Sequence, residues 1–149
     1  MHALTDAPAA AALAPLRRER QVIKELCATL RLPGATTAAS APLLLQLGAR
    51  LATQARLSTE ILYPLLRGDG HGGSAALTIA RAQHEDLALR GQRLCDGADG
   101  LDQVEALARD VELLDQFETQ HVLPLVRALD RRELEELEAR LHDGRLASA

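Results

Sequence analysis

This sequence predicts an all-α domain, an antiparallel four-helix bundle followed by a short fifth helix. Three observations carry that expectation. The chain has 149 residues and is 47% hydrophobic, yet aromatics are only 1% of it, one Phe and one Tyr with no Trp. The core must therefore come from Leu, Ala, Val and Ile, which suit helix-on-helix packing better than a sheet. Apolar residues recur at helical spacing through four long runs, and Pro- or Gly-rich breaks separate those runs.

Taken in order, residues 1–14 read as a flexible N-terminal arm, Ala-rich and interrupted by Pro8. The bundle is expected over 15–145 and a tail over 146–149. Leu16, Arg20, Ile23, Cys27 and Leu30 form the first helical face, which Leu32-Pro33-Gly34 ends. Gly34 to Ala41 reads as a linker, and Pro42 sits where a second helix starts, with Leu47, Leu51, Gln54, Ser58, Ile61 and Leu65 on its face. Gly68-Asp69-Gly70-His71-Gly72-Gly73 reads as a turn, because four glycines in six residues cannot hold a helix. Ser74 caps a third helix carrying Leu77, Ala80, His84, Leu87 and Leu94. The fourth runs from Val104 through Leu107, Val111, Leu114, Glu118 and His121 to Leu125, and Asp130 caps a fifth from Arg131 to His142 with Leu134, Leu137 and Leu141 on one side.

Composition removes several functions. Stacking platforms and aromatic cages need rings that this chain lacks. A net charge of −4 gives no electrostatic footprint for nucleic acid or an anionic membrane. No apolar run approaches the roughly 20 residues that span a bilayer. The N-terminus has no basic n-region, and Cys27 and Cys95 form no CxxC pair, so a cytoplasmic protein with free thiols is expected. Gly70-His71-Gly72-Gly73 lacks the strand and the Lys of a phosphate loop, and no Ser-His-Asp or Cys-His constellation can be argued from these spacings. An enzyme is not expected.

Polar residues on an apolar stripe are the informative ones, since burial without a partner costs about 1–3 kcal/mol and more for a charge. Each long helix has them near mid-stripe: Arg20, then Gln54 and Ser58, then His84, then Glu118 and His121. They are expected to converge in one interior layer. Glu19, Glu25, Glu60 and Glu85 are expected on solvated faces. The second and fourth helices also resemble each other at an offset of about 60 residues. Glu60-Ile61-Leu62-Tyr63-Pro64-Leu65 sits opposite Gln120-His121-Val122-Leu123-Pro124-Leu125, as though one proline device were used twice.

From about Leu16 to Arg145 this layout resembles a bacterial hemerythrin-like (HHE cation-binding) domain. The residues that carry the likeness are Leu16-Arg17-Arg18-Glu19-Arg20-Gln21-Val22-Ile23, Glu60-Ile61-Leu62-Tyr63-Pro64, Gln83-His84-Glu85-Asp86-Leu87, Phe117-Glu118 with Leu123-Pro124, and the tail Leu129-Asp130-Arg131-Arg132-Glu133-Leu134. The resemblance implies a non-haem di-iron site that binds oxygen. Residue by residue, Arg20 stands at the first-helix His position, Gln54 and Ser58 at the second-helix His and Glu positions, and Leu114 at the fourth-helix His position. Only His84 and Glu118 match, and two ligands cannot hold two cations.

Two readings follow. In the first, no cofactor is bound, and a buried network of Arg20, Gln54, Ser58, His84 and Glu118 fills the centre, with Arg20 standing in for the metal's charge. In the alternative, iron or another divalent metal sits on His84, Glu118 and His121, the last two being spaced i, i+3 on one helix face. Without metal the chain is expected to act as an interaction or sensory module, in which a protein partner or a second copy of the chain meets the bundle surface or the fifth helix at Leu134, Leu137 and Leu141.

Overall fold

A computed structural model describes residues 2–67 and 74–148, with side chains over 7–66 and 75–148. Seven α-helices make up the described residues, and no strand occurs among them. They are α1 (His2–Leu30), α2 (Thr37–Leu57), α3 (Tyr63–Arg67), α4 (Ser74–Cys95), α5 (Val104–His121), α6 (Leu123–Arg127) and α7 (Arg131–Ala147). A π-helical turn, Ser58–Leu62, joins α2 to α3, and a 3-10 turn, Leu101–Gln103, leads into α5. The glycine-rich segment 68–73, expected as a turn, lies outside the described residues.

The first helix differs from its expectation. It begins at His2 rather than near Leu16 and runs through both Pro8 and Pro15. Each proline removes one main-chain hydrogen bond, at a cost of about 3 kcal/mol in a helix interior. Good helix formers between them, Ala9 to Ala14, and tertiary burial hold the segment. Ala9, Ala12, Leu13 and Leu16 are buried in one cluster with Leu134, Leu137 and Leu141 of α7. The second helix likewise starts early, at Thr37, because the Thr36 side chain accepts a hydrogen bond from the Ala39 amide (3.2 Å), and Pro42 falls inside it. Asp130 caps α7 as expected, through a reciprocal capping box with Glu133, but the helix continues to Ala147.

The paired prolines produce two different breaks. Ahead of Pro64 the chain passes through the π turn, in which the Tyr63 amide bonds to the Ser58 carbonyl. Ahead of Pro124, α5 ends at His121, and Val122 joins it to α6. The π turn adds a residue to the local repeat and so advances the side chains that follow it.

Helix contacts close a ring: α1 packs against α2 and α5, α2 against α4, and α4 against α5, with α7 laid along α1. Two apolar clusters fill it. One joins Leu13, Leu16, Leu62, Tyr63, Leu77, Val122 and Val126 to the α7 leucines; the other holds Ile23, Cys27, Leu47, Leu51, Leu87, Leu107, Val111 and Leu114. Along α1 and α4 the chain passes from the first cluster to the second, and along α2 and α5 from the second to the first. On every one of these four helices the crossover falls at buried or half-buried polar residues. A polar layer therefore divides the core.

Candidate functional site

Arg20 is the hub of that layer. Its side chain projects from α1 and is 8% exposed. Nη2 donates to Glu118 Oε1 at 2.6 Å, and Nη1 donates to Asp115 Oδ1 at 2.7 Å, both on α5. With the Gln54 amide turned so that its oxygen faces the guanidinium, Oε1 accepts from Arg20 Nε and Nη2 at 2.5 and 3.0 Å. Lys24, one turn further along α1, bonds the other Asp115 oxygen at 3.0 Å and also pairs with Glu112.

Glu118 gives its second oxygen to two more groups. The Tyr63 hydroxyl donates to Oε2 at 2.7 Å, and His84 Nε2 lies 3.3 Å from the same atom, donating in its Nε2–H tautomer. The Tyr63 and His84 rings are tilted neighbours with centroids 5.9 Å apart. Burial alone pushes the Glu118 carboxyl up, but the His84 hydrogen bond and the Arg20 charge outweigh it and hold the group down at about 2. Burial, and then the adjacent Glu118 charge, push the Tyr63 hydroxyl well above its usual range. Near neutral pH Glu118 is thus an anion with both oxygens engaged, and Tyr63 is a fixed donor.

Of the six polar residues expected to converge, the structure brings Arg20, Gln54, Ser58, His84 and Glu118 into the layer. His121 is not with them. It is exposed at the end of α5, its ring 4.6 Å from that of Phe117. His121 stands about 60° round the helix from Glu118 at the last residue of α5, and its side chain lies outside while Glu118 points inward toward Arg20. The α7 face of Leu134, Leu137 and Leu141 is taken by the chain's own core, with exposures of 7%, 0% and 0%.

Tyr63 and Asp115 belong to the layer but were not expected there. The charge spacing did carry a signal for Asp115: Arg20 and Lys24 at i, i+4 on α1 complement Asp115 and Glu118 at i, i+3 on α5. Tyr63 enters because the π turn advances its register. Glu19 overturns its expectation outright. It is 1% exposed, and its Oε1 accepts from Arg50 Nη1 of α2 and Arg145 Nε of α7, both at 2.8 Å, while Oε2 is buried without a partner. Glu25, Glu60 and Glu85 are exposed as expected.

Beside the layer, a cleft of about 340 Å³ opens along the seam between α1 and α5. Arg20, Gln54, Ser58 and Glu118 form part of its wall. No protein-family model matches the chain, and neither a curated protein nor a solved structure matches it.

Proposed function

We propose that this protein is a metal-independent sensory module built as a hemerythrin-like four-helix bundle, in which a salt-bridged polar layer occupies the position of the family's metal centre. The fold part of this reading rests on the closed ring of α1, α2, α4 and α5 and on the alternating order in which they cross the two core clusters. The family part rests on the motif order in the sequence.

A single observation carries the functional part: the Arg20 guanidinium lies 2.6 Å from the one family carboxylate that matches, Glu118. The donor set does not fit a cation. Both Glu118 oxygens are bonded within the protein, Gln54 faces Arg20, and a fixed positive charge stands where a dication would have to sit. Among the described residues, no group of three or more His, Cys, Asp or Glu side chains is arranged to hold a metal. Nor does any described helix have the length and apolarity to cross a membrane.

Elemental analysis of protein made in iron- and zinc-supplemented medium and purified without chelator tests the reading. The expected result is a colourless protein with far less than one metal ion per chain. Stoichiometric metal that is lost in His84→Ala would overturn it.

A further inference from the structure

The cleft beside the polar layer has two ends that differ. Toward the N-terminal half of α1 its wall is apolar, formed by Leu13 and Leu16 of α1, Leu62 of the π turn, and Val122 and Leu123 where α5 breaks. Toward the other end lie Gln21, Lys24 and Asp115. From Leu13 to Lys24 the helix rises about 16 Å. The cleft is thus long enough for a short alkyl chain and sits at the small end of the range for ligand pockets.

Two groups in its wall have no hydrogen-bond or ion-pair partner among the described residues. Ser58 is 1% exposed, yet its hydroxyl makes no side-chain hydrogen bond among the described residues, whereas the next residue, Thr59, bonds back to the Ala55 carbonyl at 2.8 Å. Arg17 is exposed on the rim and makes no ion pair among the described residues. The other charges in the wall already balance: Arg20 and Lys24 are bonded to Glu118 and Asp115. Arg17 is the cation left over.

We infer that this cleft binds a small amphiphilic monocarboxylate, its head at Arg17 and Ser58 and its alkyl tail between Leu13, Leu16, Leu62 and Leu123. The assignment rests on the metal-independent reading, because an Arg20–Glu118 pair that stays closed leaves Arg17 as the unbalanced charge. A carboxylate supplies acceptors for both the guanidinium and the hydroxyl, and a tail buries apolar wall that otherwise faces water. A dicarboxylate or phosphate would bring more negative charge than the cleft offsets and would leave the apolar end unfilled.

Calorimetric titration with octanoate, octanol and octylamine tests this on one protein sample whose metal content is measured in parallel. Octanoate should bind saturably, and octanol and octylamine more weakly by about tenfold or more, the worth of one charge-assisted hydrogen bond. Arg17→Gln should remove most of that preference and Ser58→Ala part of it. Neither variant should lower the melting temperature, since neither side chain has a bonded partner to lose among the described residues. Absence of octanoate binding, or equal binding of all three compounds that Arg17→Gln leaves unchanged, overturns the assignment. Stoichiometric metal in the same sample overturns the metal-independent reading instead, so the two failures are told apart.

Discussion

Arg20 and Glu118 depend on each other in a way that pH exposes. The Glu118 carboxyl titrates near 2 in the folded chain against an ordinary 4.5, so the stabilisation it brings is fully present above 4.5 and is lost as pH falls from there through about 2. Arg20→Leu leaves the anion buried with only Tyr63 and His84 beside it, and should cost about 3–5 kcal/mol at pH 7. Urea unfolding of both proteins between pH 7 and pH 2 checks this: the gap between them should narrow as acid protonates Glu118. A gap that stays constant with pH would show that Arg20 acts through packing alone. At this scale the sequence was legible where a polar residue interrupts an apolar stripe, as Arg20, Gln54, Ser58, His84 and Glu118 do. Glu19 lies on the same stripe, between Leu16 and Ile23, but Arg17, Arg18 and Arg20 around it make the segment read as a solvated charge run. Its partners Arg50 and Arg145 are 31 and 126 residues away, and nothing local announces them. Tyr63 is hidden for another reason, since a π turn moves side chains off the 3.6-residue helical period.

Among the elements, α2 and α4 approach closely midway along α2. That approach depends on glycines in both. A Cβ at Gly48 would overlap the Gly91 carbonyl oxygen and lie 2.5 Å from Cys95 Sγ; one at Gly91 would meet the Gly48 carbonyl oxygen at 3.0 Å. Gly48 is buried in mid-helix, where alanine has the better intrinsic propensity by about 1 kcal/mol. The clash is with main chain, which cannot turn aside as a side chain can. Gly48→Ala should therefore destabilise the protein by about 1–3 kcal/mol against its propensity gain, whereas Gly97→Ala, which replaces a left-handed glycine but has open space around it, should disturb only its turn. Thermal unfolding of the two variants separates these effects, and a Gly48→Ala protein as stable as the parent would mean that the helices can part freely. Helix faces were legible from periodicity, but the start of α1 was not. Prolines normally mark boundaries, and here burial of Ala9, Ala12 and Leu13 against a helix over 120 residues later overrides that signal.

At the scale of the whole molecule, the question is whether α7 is an appendage or part of the core, because the sequence shows only a short capped helix after the bundle. Its three leucines are buried in the cluster that includes α1, the π turn and Val126. Near its end, Gly144 packs against Leu57 and Ile61, with the built Cβ position 2.8 Å from each. The Gly144 carbonyl accepts from Arg56 at 2.9 Å, and Arg145 reaches Glu19 at 2.8 Å. These contacts brace the π turn from outside, and the π turn places Ser58 and Tyr63 in the polar layer. Burial of three leucines is worth about 6 kcal/mol, comparable with the whole stability of a domain this size. A chain ending at Leu129 should therefore lose more than the helix itself. It should lose cooperative unfolding, and the near-ultraviolet circular dichroism of the single tyrosine, Tyr63, should collapse with it. Leu137→Ala in the full chain offers the milder form, an expected loss of about 2–5 kcal/mol with the tyrosine signal retained. If the truncated chain instead melts cooperatively within a few degrees of the full one and keeps the tyrosine signal, α7 is an appendage and the layer stands without its brace.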